Sequence, residues 1–325
     1  MKYWANRQVL TVITVFLLVS HCVTAETQIH RIHFLIPGGA GGGWDGTARG
    51  VGEALTKSNL IKRASYQNMS GGGGGRAIAH LVKTAKRQQD TLMVNSTPII
   101  IRSLQKIFSH SFQDLTPIAA VVADYGVFTV VNNSEIQNWQ QAVTLFQNDP
   151  SQLTVGGGSG RGSMDHLVAA LAFQAARGDP KQVRYIPYDA GGKAMAGLLS
   201  GETKILSTGL GEALAQHRSG QIRILAITAS ERSPAVPNVP TFKELGYEII
   251  FINWRGFFGP PDLSQEKVKT YTKVLEKMFQ TPDWETVRMR NGWENLYISG
   301  KKFHAFLIQQ ESTISRLMKE LGFLE

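Results

Sequence analysis

The stretch 35-LIPGGAGGGWDGTARG-50 puts five glycines among the six residues from Gly38 to Gly43. They stand between an apolar run, residues 31–36, and a helix-period segment, residues 46–57. Backbone without Cβ can approach another group closely and tolerates φ > 0. A strand that ends in glycines and turns into a helix also leaves the first helical N–H groups without intrahelical partners. The helix dipole adds about half a positive charge beside them. Such a junction is suited to an anion, a carboxylate or a phosphate.

The same junction recurs along the chain. It returns over residues 67–75, where Asn68 is followed by Gly71 to Gly75; over 155–163, where Val155 is followed by GGGSGRG; and over 186–194. Short β-branched runs are expected as strands at 31–36, 63–67, 91–95, 127–131, 153–155, 183–186, 204–207 and 223–228. Helices are expected at 46–57, 75–87, 139–148, 163–176, 194–200 and 211–219, and three more between Asp262 and Leu321, the first capped by Ser264. This alternation is the pattern of parallel sheets covered by helices. In such sheets ligands bind beyond the carboxyl ends of the strands. The candidate anion-binding residues are therefore Gly39, Gly43, Gly73, Gly74, Gly158, Ser159, Gly160 and Gly191. Trp44, inside the first loop, reads as a wall of a cleft, and Tyr188 ends a strand beside another loop. Asn95, Ser96 and Thr97 close the third strand with neutral hydrogen-bonding groups. Asp45 reads as the N-cap of the first helix, with water orientation near a ligand as the alternative. Ser163 reads as an N-cap and His166 as a ligand or core contact. Arg49 fits an ion pair, either structural or with a ligand carboxylate.

Composition narrows the setting. Lys2 and Arg7 flank an apolar run from Val9 to Val19, and Val23-Thr24-Ala25 places small residues where a signal peptidase reads. Residues 1–25 are expected to be a signal peptide cleaved after Ala25; the apolar run is short of the ~20 residues that span a bilayer. Cleavage removes Cys22, the single cysteine, so no disulfide or thiolate chemistry is expected in the exported chain. It also lowers the net charge from +9 to +7. The basic residues are scattered rather than gathered in a stripe with aromatics, so no nucleic-acid partner is expected. A basic surface favours encounter with small anions.

Several chemistries find no support. GxGxxG matches at Gly41, Gly43 and Gly46, but residues 65–68 (SYQN) supply no acidic residue where a dinucleotide ribose needs one, and no GxxxxGK[ST] occurs. No cofactor is expected. GxSxG fails around Ser159 because Arg161 stands at the second glycine. His30 and His33 fall on opposite faces of a strand, so no metal site is expected. No carboxylate pair stands in the glycine loops for general acid–base work.

The ordered motifs resemble the periplasmic substrate-binding receptors of tripartite tricarboxylate transporters, the Bug or TctC-like proteins. They are Pro37-Gly38-Gly39 with Trp44-Asp45 and Ala48-Arg49; Asn68 with Gly71, Gly73 and Gly74; Gly158-Ser159-Gly160 with Gly162-Ser163 and His166-Leu167; Pro187-Tyr188-Asp189 with Gly191-Gly192; Arg223 with Leu225-Ala226, and Arg232; Pro237 to Thr241 with Glu244 and Gly246; and Trp254-Arg255-Gly256. Two departures are Asp90-Thr91-Leu92 in place of a DGYTL form, and Ala77 in place of a helix glycine. The resemblance implies an α/β, two-domain fold of the type II periplasmic-binding-protein kind with a ligand cleft between the domains. It implies crossovers near Asp124 and Thr228, so that residues 26–124 and 229–325 form one domain and 125–228 the other. It further implies a periplasmic monomer that is no enzyme, with a carboxylate held by the first two glycine loops, partly through water, and by the 158–166 segment. The GGGWD form is most like tricarboxylate members, which favours citrate, delivered to integral-membrane permease subunits. Two alternatives stay open: a secreted α/β hydrolase using Ser159 or Ser163 with His166, and a ligand-sensing receptor for a membrane kinase.

Overall fold

The computed structural model describes residues 29–325, and the expected signal peptide lies outside them. The chain begins with three strand–helix units: β1 (Ile29–Ile36), α1 (Gly43–Lys57), β2 (Ile61–Asn68), α2 (Gly75–Lys83), β3 (Thr91–Ser96) and α3 (Pro98–Leu104). A long strand follows, β4 (Thr116–Val131). Then come α4 (Trp139–Asn148), β5 (Thr154–Gly157), α5 (Met164–Ala175), β6 (Arg184–Pro187), α6 (Gly191–Leu199), β7 (Ile205–Gly209), α7 (Leu210–Arg218) and β8 (Ile222–Ile227). After an irregular stretch the chain closes with β9 (Ile252–Gly259), α8 (Gln265–Met278), α9 (Pro282–Asn291), β10 (Glu294–Ser299) and α10 (Gly300–Glu320).

The fold is α/β with two domains, each built on its own sheet. One sheet runs β2-β1-β3-β9-β4-β10 and the other β8-β4-β7-β5-β6. The β1 and β5 pairings are parallel, as expected, but every pair that includes β4 or β9 is antiparallel. The sheets are therefore mixed. β4 belongs to both: residues 116–125 pair with β9 and residues 127–131 with β8. That shared strand is buried over nearly its whole length, which explains its near-continuous apolar sequence.

Three segments are stitched together where the domains meet. The Thr228 hydroxyl donates to the Phe251 carbonyl at 2.7 Å and accepts from the Gly126 N–H at 2.9 Å. Cores flank both sheets. Phe34, Val51, Phe257, Trp284 and Trp293 share one cluster; Trp139, Phe146 and Phe173 belong to another. The Pro-rich segment after β8 packs on the second domain. Thr241 bridges Ile227, and Phe242 lies 5.5 Å from the Phe128 ring and 5.0 Å from that of Trp139, both edge-on. The α10 helix returns to pack on β4 and α3. Truncating Phe242 empties a fully buried site, so Phe242→Ala is expected to cost about 3–5 kcal/mol in urea unfolding. A loss under about 1 kcal/mol would show that residues 229–251 are not held on this domain.

Candidate functional site

The glycine junctions converge. A cavity of about 300 Å³ lies between the domains, lined by Gly38, Gly39, Gly42 and Gly43 after β1, Ser70 to Gly74 after β2, Gly158 to Gly160 after β5, and Tyr188 to Gly191 after β6. Each loop leaves the carboxyl end of a parallel strand, so the first turns of α1, α5 and α6 face the cavity, the end of a helix where N–H groups lack i−4 helical partners. Glycine is required at the meeting of the loops. A Cβ on Gly158 would fall on the backbone of Gly191, and one on Gly42 would lie 2.9 Å from the Ala190 Cβ. Ala190 itself holds φ +87, a strained conformation for a residue with a Cβ. Polar contacts cross between the domains at the rims. Ser70 Oγ donates to Asp189 Oδ1 at 2.5 Å, Arg102 Nη1 to the Arg161 carbonyl at 3.0 Å, and Gln105 Nε2 to the Gly162 carbonyl at 2.9 Å.

Most of the expected residues meet there. Gly39, Gly43, Trp44, Gly73, Gly74, Ser96, Gly158, Ser159, Gly160, Ser163, Tyr188 and Gly191 line the cavity; Asp45, Asn95, Thr97 and His166 do not. Trp44 forms a wall, its Nε1 donating to Ser96 Oγ at 2.9 Å. Asp45 is not the N-cap: Gly42 holds that position, and Asp45 sits in the first turn. Its carboxylate reaches back to the Gly41 N–H at 3.0 Å and takes Arg49 Nε at 2.9 Å and Asn68 Nδ2 at 3.0 Å. Arg49 is thus spent on a structural ion pair. Ser163 does occupy the N-cap of α5, without a side-chain capping bond.

His166 is a supporting residue. Its Nδ1 accepts from the Gly162 N–H at 3.0 Å, its ring stacks on Tyr185 at 4.6 Å, and Phe323 meets it edge-on at 4.8 Å. Burial, with Arg161 adding, pushes its pKa down to about 4. Ser159 Oγ accepts from the Asp165 N–H at 3.1 Å. Among the described residues no hydrogen bond joins His166 to Ser159 or Ser163, so the hydrolase arrangement is not assembled. Nor do three or more His, Cys, Asp or Glu residues gather to hold a metal among the described residues.

Sequence reasoning missed four charged side chains and one amide. Arg102, Asp165, Glu212 and Arg255, with Asn253, all line the cavity. Arg255 is committed elsewhere: Nη2 pairs with Asp124 Oδ2 at 2.5 Å, and Nη1 donates to the Gly43 carbonyl and to Thr47 Oγ1, both at 3.1 Å. A Cβ on Gly43 would collide with this guanidinium, so that glycine makes room for Arg255. Asp165 is fully buried and has no basic partner among the ion pairs of the described residues. Burial, reinforced by Glu212, raises its pKa to about 7.

A model of the tripartite tricarboxylate transporter family receptor matches residues 48–323. The chain belongs to that family. BugT of Bordetella pertussis is 29% identical over 283 residues, covering 84% of this chain and 85% of the relative. The periplasmic binding protein BugD superposes with a TM-score of 0.81 at 21% identity, over 90% of this chain and 98% of that one. MatC from Rhodopseudomonas palustris, with bound malate, superposes at 0.74 and 22% identity, over 90% and 99%. As a receptor of this family the chain binds a solute and does not transform it.

The raised Asp165 pKa has a sign. The folded receptor holds a proton there that the unfolded chain loses near pH 4, so the stability present below about pH 4 is lost as pH rises through about 7. Asp165→Asn is expected to raise the melting temperature of the unliganded receptor at pH 8, with the gain vanishing near pH 4. An equal effect at both pH values would contradict this.

Proposed function

We propose that this receptor is periplasmic, captures a small carboxylate between its domains and delivers it to the integral-membrane permease of a tripartite transporter. One observation supports this above others: strand–helix loops of both domains converge on one cavity that their glycines help to line, with Arg102 beside them. The arginine touches both sets of loops. It lies against Gly73, and Gly160 leaves space for its Nη2. In this reading Gly73, Gly74, Gly158, Ser159 and Gly160 hold the carboxylate and Trp44 and Tyr188 shape the cleft. Asn95, Thr97 and His166 act from behind the loops.

The moving units are proposed as residues 29–125 with 252–325, against residues 126–251. The Phe242 packing supports a second boundary near Phe251 in place of residue 228. Closure then follows from ligand contacts to both units, since a ligand shifts an equilibrium only by its differential affinity.

Malate, carried by the MatC neighbour, and citrate, favoured by the resemblance, belong in the first ligand panel. Citrate rests on the GGGWD stretch from Gly41 to Asp45 alone, and Asp45 does not line the cavity. A binding carboxylate at about 100 times its Kd should add roughly 2.7 kcal/mol to unfolding stability. Thermal unfolding with the panel reads this directly. No shift with any mono-, di- or tricarboxylate would overturn the receptor reading.

A further inference from the structure

The charges lining the cavity are unevenly matched. Arg102 is 6% exposed, and among the described residues it has no carboxylate partner. Its Nη1 serves Gln105 and the Arg161 carbonyl, and its Nε has no hydrogen-bond partner. Burial pushes its pKa down, opposed by Tyr185, and among the described residues no ion pair offsets the cost of burying the guanidinium. A buried cation left in this state calls for an anion from outside the chain.

Elsewhere in the same cavity the imbalance is reversed. Asp165 and Glu212 both line it, and neither forms an ion pair with a base among the described residues. Glu212 accepts from Thr208 Oγ1 at 3.3 Å and sits against Gly191, where a Cβ would strike its carboxylate. The nearby guanidinium of Arg255 is engaged through Nη2 by Asp124 and through Nη1 by Gly43 and Thr47, with its Nε left without a partner. A third acceptor adds to these two carboxylates: Asn253, 4% exposed, lines the cavity, and its Oδ1 has no donor. This part of the site is built of acceptors and repels a second carboxylate.

We propose that the cleft selects a dipolar ligand, with a carboxylate at Arg102 and a cationic hydrogen-bond donor, in the simplest case an ammonium, at Glu212, Asp165 and Asn253. The inference rests on the receptor reading above and names its ligand class: an amino-carboxylate in preference to a simple di- or tricarboxylate. A protonated amine brings three donors and a charge, which suit three acceptors where, among the described residues, neither carboxylate is in an ion pair and the Asn253 oxygen has no donor.

The test is titration calorimetry at pH 7.5 with length-matched pairs on the unaltered receptor: 4-aminobutyrate against glutarate, and 5-aminopentanoate against adipate, with malate and citrate alongside. At least one amino-carboxylate should bind tenfold or more tightly than its dicarboxylate match. In Glu212→Gln, checked for an unchanged far-ultraviolet spectrum, that ratio should fall tenfold or more. Dicarboxylates binding as well as or better than the amino-carboxylates would overturn the inference while leaving the receptor reading intact. A preference that survives Glu212→Gln unchanged would overturn the acidic pole. Absence of binding by every compound would overturn both readings. The wild-type panel does not depend on whether the variant folds.

Discussion

A carboxylate and a guanidinium 2.5 Å apart, both almost wholly out of water, tie the two halves of this receptor together. Asp124 lies on the shared strand β4, one residue from where it leaves the first sheet, and Arg255 on the strand beside it. Each partner reaches further. Arg255 takes the Gly43 carbonyl at the start of α1, and Asp124 accepts from the Gly211 N–H in the first turn of α7. Burial pushes the Asp124 pKa up to about 6, against the pull of Arg255. Removing one partner of such a pair typically costs about 3–5 kcal/mol, because the other is left charged in the interior. Its value here is positional, since one pair fixes the first turns of a helix from each domain at the back wall of the cleft.

From that anchor the rest of the site follows. The loops that follow the parallel strands of both sheets line the same cavity. Loops that meet backbone to backbone, as Gly158 meets Gly191, leave no room for side chains. Main-chain amides therefore form part of the wall where the loops meet, and amides bind anions without a reactive group. The side chains that do reach the cavity then decide which anion enters. Arg102 does so from α3, a helix otherwise buried among apolar neighbours.

The parallel half of the fold was legible in sequence because each strand–helix junction carries its own glycine signal, and helix starts such as Ser264 carry their caps. The antiparallel spine was not. Residues 116–131 read TPIAAVVADYGVFTVV; buried on both sides, they lack the alternation that marks a half-exposed strand, and only the second half was recognised. β9 was seen as the motif Trp254-Arg255-Gly256 and not as a strand. The charged part of the site was hidden for a related reason. Arg102 stands in the run IIIRSL, where nothing local marks it as a ligand, and Arg255 finds Asp124 131 residues away in sequence. Pairings of that range are set by the sheet order, which no single stretch contains. Gly43 lines the cavity, yet the group pressing on it is Arg255.

The most direct test of the account is a crystal structure of the receptor with the tightest-binding ligand from the carboxylate panels. The account predicts a ligand carboxylate within about 3.2 Å of Arg102 and of backbone amides from both the 72–74 and 158–160 loops. A ligand seated outside that crevice, or a carboxylate held by only one domain with Arg102 left without it, would contradict the claim that the two domains grip the anion jointly.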